Sequence, residues 1–144
     1  MNIFFYGLFM DKKVLSEKGI AYESYKLGFV EGFGLRIGQR ATLVRDQGNR
    51  AFGVVMDISS SQFADLYGDQ SVANYVPEIE VVQLLDGSQL TATCYNLPGK
   101  QVAGTNLEYA AMLLEVAINL GFPDNYLEQL RHPVVCSPGF GNGN

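Results

Sequence analysis

The chain has 144 residues and a mass of 15.8 kDa, enough for one domain with a real core. Apolar residues make up 47% and charged residues 17%, which excludes gross disorder. Ten basic against 15 acidic residues give a net charge of −5 and a pI near 4.7. A surface that neutralises nucleic-acid phosphates needs clustered Lys and Arg, and here the only basic pair is Lys12-Lys13.

The opening stretch, residues 1–10, is apolar but too short to cross a membrane. No basic segment precedes it and no small-residue cleavage site follows, so it is expected to be the first strand of a cytoplasmic protein. Ile3-Phe4-Phe5 breaks at Tyr6-Gly7, and Asp11 is placed to cap a short helix over residues 12–18 that Gly19 ends. On this reading Lys12-Lys13 lies on that helix's solvated face.

Residues 25–37 mix aromatic, β-branched and glycine residues, the composition of a bent or bulged strand. Residues 40–44 and 51–56 read as two further strands, with Asp46-Gln47-Gly48-Asn49 as the turn between them. Ser59 with Gln62 makes a capping box for a short helix that stops at Gly68. Asp86-Gly87 joins alternating runs at 75–85 and 90–96, a hairpin signal.

A second capping box, Thr105 with Glu108, opens the best helix. Leu107, Ala110, Ala111, Leu114, Ala117 and Ile118 are expected on its buried face. Gly121 and Pro123 end it, residues 124–130 offer one more short helix, and 139–144 (GFGNGN) read as a flexible tail. The sum is about six strands, mostly antiparallel, with short helices at the edges. The expected fold class is α+β: a small mixed β-barrel forming a single domain over residues 1–138.

Catalytic signals of the common kinds are missing. His132 is the only histidine and stands beside Pro133, so neither a Ser-His-Asp triad nor a tetrahedral metal site has its parts. Cys94 and Cys136 do not make a disulfide framework; Cys94, in an alternating run, reads as a small core residue. Gly32-Phe33-Gly34 resembles part of a dinucleotide fingerprint, but no helix follows it. Glu78 and Glu80 share one face of a strand and read as ordinary solvent-facing carboxylates. What remains is the turn at Tyr6-Gly7. A glycine there lets the backbone fold tightly and turn amide N–H groups toward an anion without any cationic side chain.

Tyr6-Gly7-Leu8-Phe9-Met10 resembles the YGxxx signature of the γ-glutamylcyclotransferase-like family, which includes the AIG2-like proteins. The stretch Gly38-Gln39-Arg40-Ala41-Thr42-Leu43-Val44 resembles that family's G-x-RATLV, and Ala51-Phe52-Gly53-Val54-Val55 its WGVVY strand. Tyr75 follows in order, and Gly121-Phe122-Pro123-Asp124-Asn125-Tyr126 resembles the family's G-L-P-x-x-Y after a helix. The likeness runs along nearly the whole chain.

The resemblance implies a mixed barrel with a pocket at its mouth and no metal or other cofactor. Its implied ligand is a small γ-glutamyl compound, whose α-amine attacks its own γ-carbonyl to give 5-oxoproline and a free amine. Tyr6, Gly7, Leu8, Phe9, Met10 and Tyr75 are the substrate-binding positions by this likeness. The amides of Gly7, Leu8 and Phe9 take the glutamyl moiety. Gln70 falls where the family has its glutamate base, and Pro77 where it often has an arginine. A glutamine accepts a hydrogen bond from an ammonium but cannot take up its proton. Asp69 is the neighbouring substitute, after a one-residue shift of the loop. Three readings follow: an active cyclotransferase, a binding module without turnover, and an interaction protein that has lost the pocket.

Overall fold

The structure is a computed structural model and describes residues 1–37, 41–67, 75–96 and 107–131. Five strands are described: β1 (Asn2–Phe5), β2 (Tyr25–Ile37), β3 (Ala41–Asp57), β4 (Val76–Leu84) and β5 (Gln89–Asn96). They close into a barrel in the order β1-β3-β2-β4-β5. Every pairing is antiparallel except β1 with β5, where Ile3 faces Thr93 in parallel. Four helices flank it: α1 (Lys12–Glu17), α2 (Ser60–Tyr67), α3 (Leu107–Leu120) and α4 (Asp124–Arg131). This is the small mixed barrel with short helices that the sequence leads one to expect. No helix among the described residues is long and apolar enough to cross a membrane.

Local signals account for most element ends. Asp11 caps α1 by accepting from the Lys13 N–H at 2.9 Å. Half of the capping box at α2 is built as expected, with the Gln62 N–H on Ser59 Oγ at 3.3 Å. The Gln62 side chain does not return to Ser59; its Oε1 takes the Ala21 N–H at 3.0 Å and ties the α1–β2 connection to α2. The Asp86-Gly87 hairpin forms, with Asp86 Oδ1 accepting from both the N–H and the hydroxyl of Ser88. Two acceptances by one carboxylate favour its charged form and hold the Asp86 carboxyl below the usual range.

The expected turn at 46–49 is not a strand break. β3 runs through it, and the β2–β3 register jumps from Glu31 opposite Arg50 to Phe33 opposite Arg45. The four residues 46–49 therefore stand opposite Gly32 alone, as an extended bulge with Gly48 at φ +89° and Gly32 at φ +81°. Turn-forming residues bend a strand here because its partner is continuous on both sides. Two expected strands are one.

The buried face of α3 is also rotated from the expected one. Ala110, Leu113 and Ala117 are buried, whereas Leu107, Ala111 and Ile118 are exposed. Leu113 sits under the stripe because α3 packs on α4 and on the turn after β1, so two contacts set its face. Phe52 of β3 carries α4, lying 5.6 Å from the Phe122 ring and 5.2 Å from that of Tyr126. Ile3, Phe4 and Phe5 are all buried, so β1 is covered on both faces. Cys94 is a core residue, as expected. The Thr105 cap, His132, Cys136 and the 139–144 tail lie outside the described residues.

Candidate functional site at one end of the barrel

β1 delivers the 6–10 loop. Tyr6 is buried and its hydroxyl donates to the Tyr95 carbonyl at 2.5 Å. Gly7 is extended, with φ −110°, so any residue could adopt its backbone. What requires glycine is space, since a Cβ here would lie 2.5 Å from the Tyr109 hydroxyl. Leu8–Met10 then make a single 3-10 turn, closed by the Met10 N–H on Gly7 O and the Asp11 N–H on Leu8 O, both at 3.0 Å.

Tyr109, in the first turn of α3, reaches this loop from outside the barrel and accepts the Leu8 N–H at 3.4 Å. Burial pushes its phenol up to about 12, against a smaller opposing effect of the Leu8 N–H. Phe9 meets Phe5 edge to face at 6.1 Å, and Met10 is buried with its carbonyl accepting from Tyr25 Oη at 2.6 Å. The Tyr25 phenol is likewise raised to about 12, first by burial and then by Tyr22 and Asp11.

The parallel pairing of Ile3 with Thr93 fixes what lies beside this loop. Continued along both strands, it brings Tyr6 next to Asn96, and the Tyr6–Tyr95 bond fastens them. β5 buries Ala92, Cys94 and Asn96 on one face. Opposite them, Glu78 is paired with Cys94 and Glu80 with Ala92, on the face of β4 that also carries buried Val82 and Leu84.

The two glutamates thus face inward, and the expectation that they face solvent is corrected. Ile79, 73% exposed, and Val81 take the outer face instead. The phase of β4 is set by Val82 and Leu84 at its far end and by β5 across from it. Hydrophobicity near Glu78 does not decide it. Asn96, only 4% exposed, donates Nδ2 to Glu78 Oε1 at 2.6 Å, while its Oδ1 has no partner. Glu80 accepts from Arg45 Nη2 at 3.3 Å, and that guanidinium also stacks over Phe33 at 4.5 Å. Burial, then Glu80 and Glu78, push the Cys94 thiol up to about 12, so it stays protonated.

Tyr75 leads into β4 and its hydroxyl donates to the Ala41 carbonyl at 2.5 Å, which ties the start of β4 to the start of β3. Gln70 and Asp69 lie outside the described residues, in the segment between α2 and Tyr75. Neither Asn96 nor Tyr109 is a candidate site residue in the sequence reading. Asn96 was findable by strand period, two residues past Cys94 on the same face. Tyr109 acts across 101 residues of sequence and leaves no local signal.

Open hollows among the described residues include one that touches this loop at Leu8 and Met10 and one remote from it. One, of about 400 Å³, runs between α1 and α3 and is bordered by Met10, Lys12, Tyr25, Glu115 and Asn119. The other, of about 380 Å³, lies between the β3 bulge and α4 at Asn49, Phe52, Tyr126 and Gln129.

Among known proteins, no family model matches the chain and no curated protein matches by sequence. Solved structures do match. A γ-glutamyl cyclotransferase superposes with a TM-score of 0.74 at 20% identity, over 99% of this chain and 92% of that one. An uncharacterized protein from Homo sapiens gives 0.77 at 20% identity, over 98% and 91%. An AIG2-like protein from Mus musculus gives 0.52 at 20% identity, over 66% and 75%. The chain has the γ-glutamylcyclotransferase-like fold, and the resemblance read from its motifs holds at that level.

Proposed function

We propose that this chain is a γ-glutamylcyclotransferase-like protein that holds a γ-glutamyl compound against the 6–10 loop. The observation that carries the reading is the fold match over 99% of the chain, joined to a Tyr-Gly turn directly after β1. In the reaction of this class the α-amine of the glutamyl group attacks its own γ-carbonyl carbon. The bond to the leaving amine breaks, that amine takes the proton, and 5-oxoproline is released. Tyr6, Gly7, Leu8, Phe9, Met10 and Tyr75 are proposed to hold the substrate, in a cytoplasmic setting.

Gln70 favours a second reading, retained binding without turnover. A positioned base contributes about 10²- to 10⁴-fold, and glutamine supplies none. Asp69 is the proposed substitute in an active protein.

The test is mass-spectrometric detection of 5-oxoproline after incubation with γ-glutamyl amino acids, γ-glutamyl-ε-lysine and glutathione. The Gly7→Asp variant, whose side chain collides with Tyr109, gives the background. Product above that background is the expected result for an enzyme, and Asp69→Asn then abolishes it. Binding without product supports the second reading. Neither binding nor product overturns both and leaves an interaction protein.

A further inference from the structure

We propose that Glu78 and Asn96 form the seat of a primary ammonium group carried by the ligand. The argument starts from Asn96. Its side chain is enclosed, and the carboxylate of Glu78 can only accept, so chemistry fixes Nδ2 toward Glu78 and leaves Oδ1 as the unpartnered atom. A buried acceptor without a donor is rare in folded proteins and marks a place where a donor belongs.

Glu78 points the same way. Glu80 has the Arg45 guanidinium at 3.3 Å, but among the described residues no cation lies within 4 Å of Glu78. Among the described residues its neutral donor is Asn96. Across the strand pair, Cys94 stays a neutral thiol and adds no competing anion. A group that donates to the carboxylate and to the amide oxygen at once, and brings positive charge to Glu78, completes this arrangement. An ammonium has three donors and no acceptor. One carboxylate and one amide oxygen are too few for a hard divalent cation, which takes six or more oxygens.

Position links the seat to the loop. The Ile3–Thr93 register and the Tyr6–Tyr95 bond set Tyr6-Gly7 beside Asn96 at one end of the barrel. Resting on the γ-glutamyl reading above, the inference names the part of the ligand each wall takes. The Leu8 amide is engaged by Tyr109, so the amides of Gly7 and Phe9 are assigned the α-carboxylate, and Glu78 with Asn96 takes the α-ammonium. The ligand class is then a γ-glutamyl compound with a free α-amine; a blocked amine is rejected.

Calorimetric titration of the full chain tests this with three probes: γ-glutamyl-alanine, its N-acetyl derivative and n-butylammonium chloride. The variants are Glu78→Gln, which keeps the Asn96 hydrogen bond but not the charge, and Asn96→Leu, which keeps bulk but not Oδ1. Circular dichroism checks that each is folded, and either alone suffices if the other is not. Wild-type protein is expected to bind γ-glutamyl-alanine, and acetylation or either variant to weaken it about tenfold or more. Equal binding by wild type and variants, or by free and acetylated ligand, overturns the seat and leaves the γ-glutamyl reading standing. Glu78-dependent binding of n-butylammonium without binding of γ-glutamyl-alanine supports the seat and overturns that reading. No binding of any probe overturns both.

Discussion

The hydroxyl of Tyr109 stands 2.5 Å from where a Cβ on Gly7 would be, and it accepts the N–H of the next residue, Leu8. One oxygen from α3 therefore defines both the space and part of the hydrogen bonding of the loop that follows β1. The nearest carbon of that ring is 3.9 Å away, so the crowding is due to the oxygen.

Gly7→Ala is expected to destabilise the protein by about 1–3 kcal/mol through overpacking. Tyr109→Phe alone should cost about 1 kcal/mol for the lost acceptor. Together they should cost less than their sum by about 1 kcal/mol, because the phenylalanine removes the atom that the new methyl meets. Urea unfolding of the four proteins measures this. Strict additivity would mean that the methyl meets something else.

Tyr6→Phe removes the side-chain bond that runs across the β1–β5 junction from Tyr6 Oη to Tyr95 O. Unfolding free energy should fall by about 1 kcal/mol, and amide exchange in β1 should quicken relative to the β2–β3 pair. Unchanged exchange in β1 would show that the junction does not depend on this bond.

Arg45 is largely exposed, but its partner Glu80 is 17% exposed and faces inward. Arg45→Met should therefore cost about 1 kcal/mol, at the upper end for a pair of this kind. Glu80→Gln in the same protein should restore much of that loss, because no inward charge is then left without its cation. Thermal melts of the cycle at low and high salt report on it. A full loss that persists in the double variant would assign it to the Phe33 stack instead.

Alkaline conditions should weaken the fold. Burial raises Tyr109, Tyr25 and Cys94 to about 12 in the folded chain. Between the unfolded values of about 8.5 to 10 and the folded ones, the native state holds more protons than the unfolded state. Stability is thus fully present below about pH 8.5 and falls as pH rises toward about 12. Urea midpoints measured from neutral pH upward should decline, and tyrosinate absorption should rise in two stages, the later one with unfolding. A flat midpoint across that range would contradict the burial of these groups.

Turn chemistry and capping made much of the fold readable: Asp11, Ser59, Asp86-Gly87 and the punctuation at Gly121-Pro123 all work locally. The misreadings concern places where a distant partner decides. Residues 46–49 have turn composition, yet the strand continues because β2 pairs with β3 on both sides of them. The α3 stripe is displaced because α4 and the loop at Gly7 share its packing. On β4, charged residues at 78 and 80 alternate with apolar residues at 79 and 81, and period 2 alone assigns the apolar set inward. The barrel does the reverse, because β5 presents Cys94 and Asn96 to the other phase. In the site itself the glycine was legible, whereas the Tyr109 oxygen that requires it was not.

The single parallel contact between β1 and β5 has a kinetic consequence. The β2–β3 and β4–β5 pairs join consecutive strands and can form locally, whereas Ile3 must find Thr93 across most of the described chain. Closing so long a segment costs more chain entropy than pairing consecutive strands, so the β1–β5 junction is expected to form late in folding. The Tyr6-Gly7 loop stands on one side of that junction and Asn96 with Glu78 on the other. The two walls of the proposed site meet at this junction, so ligand binding is expected to require the closed barrel.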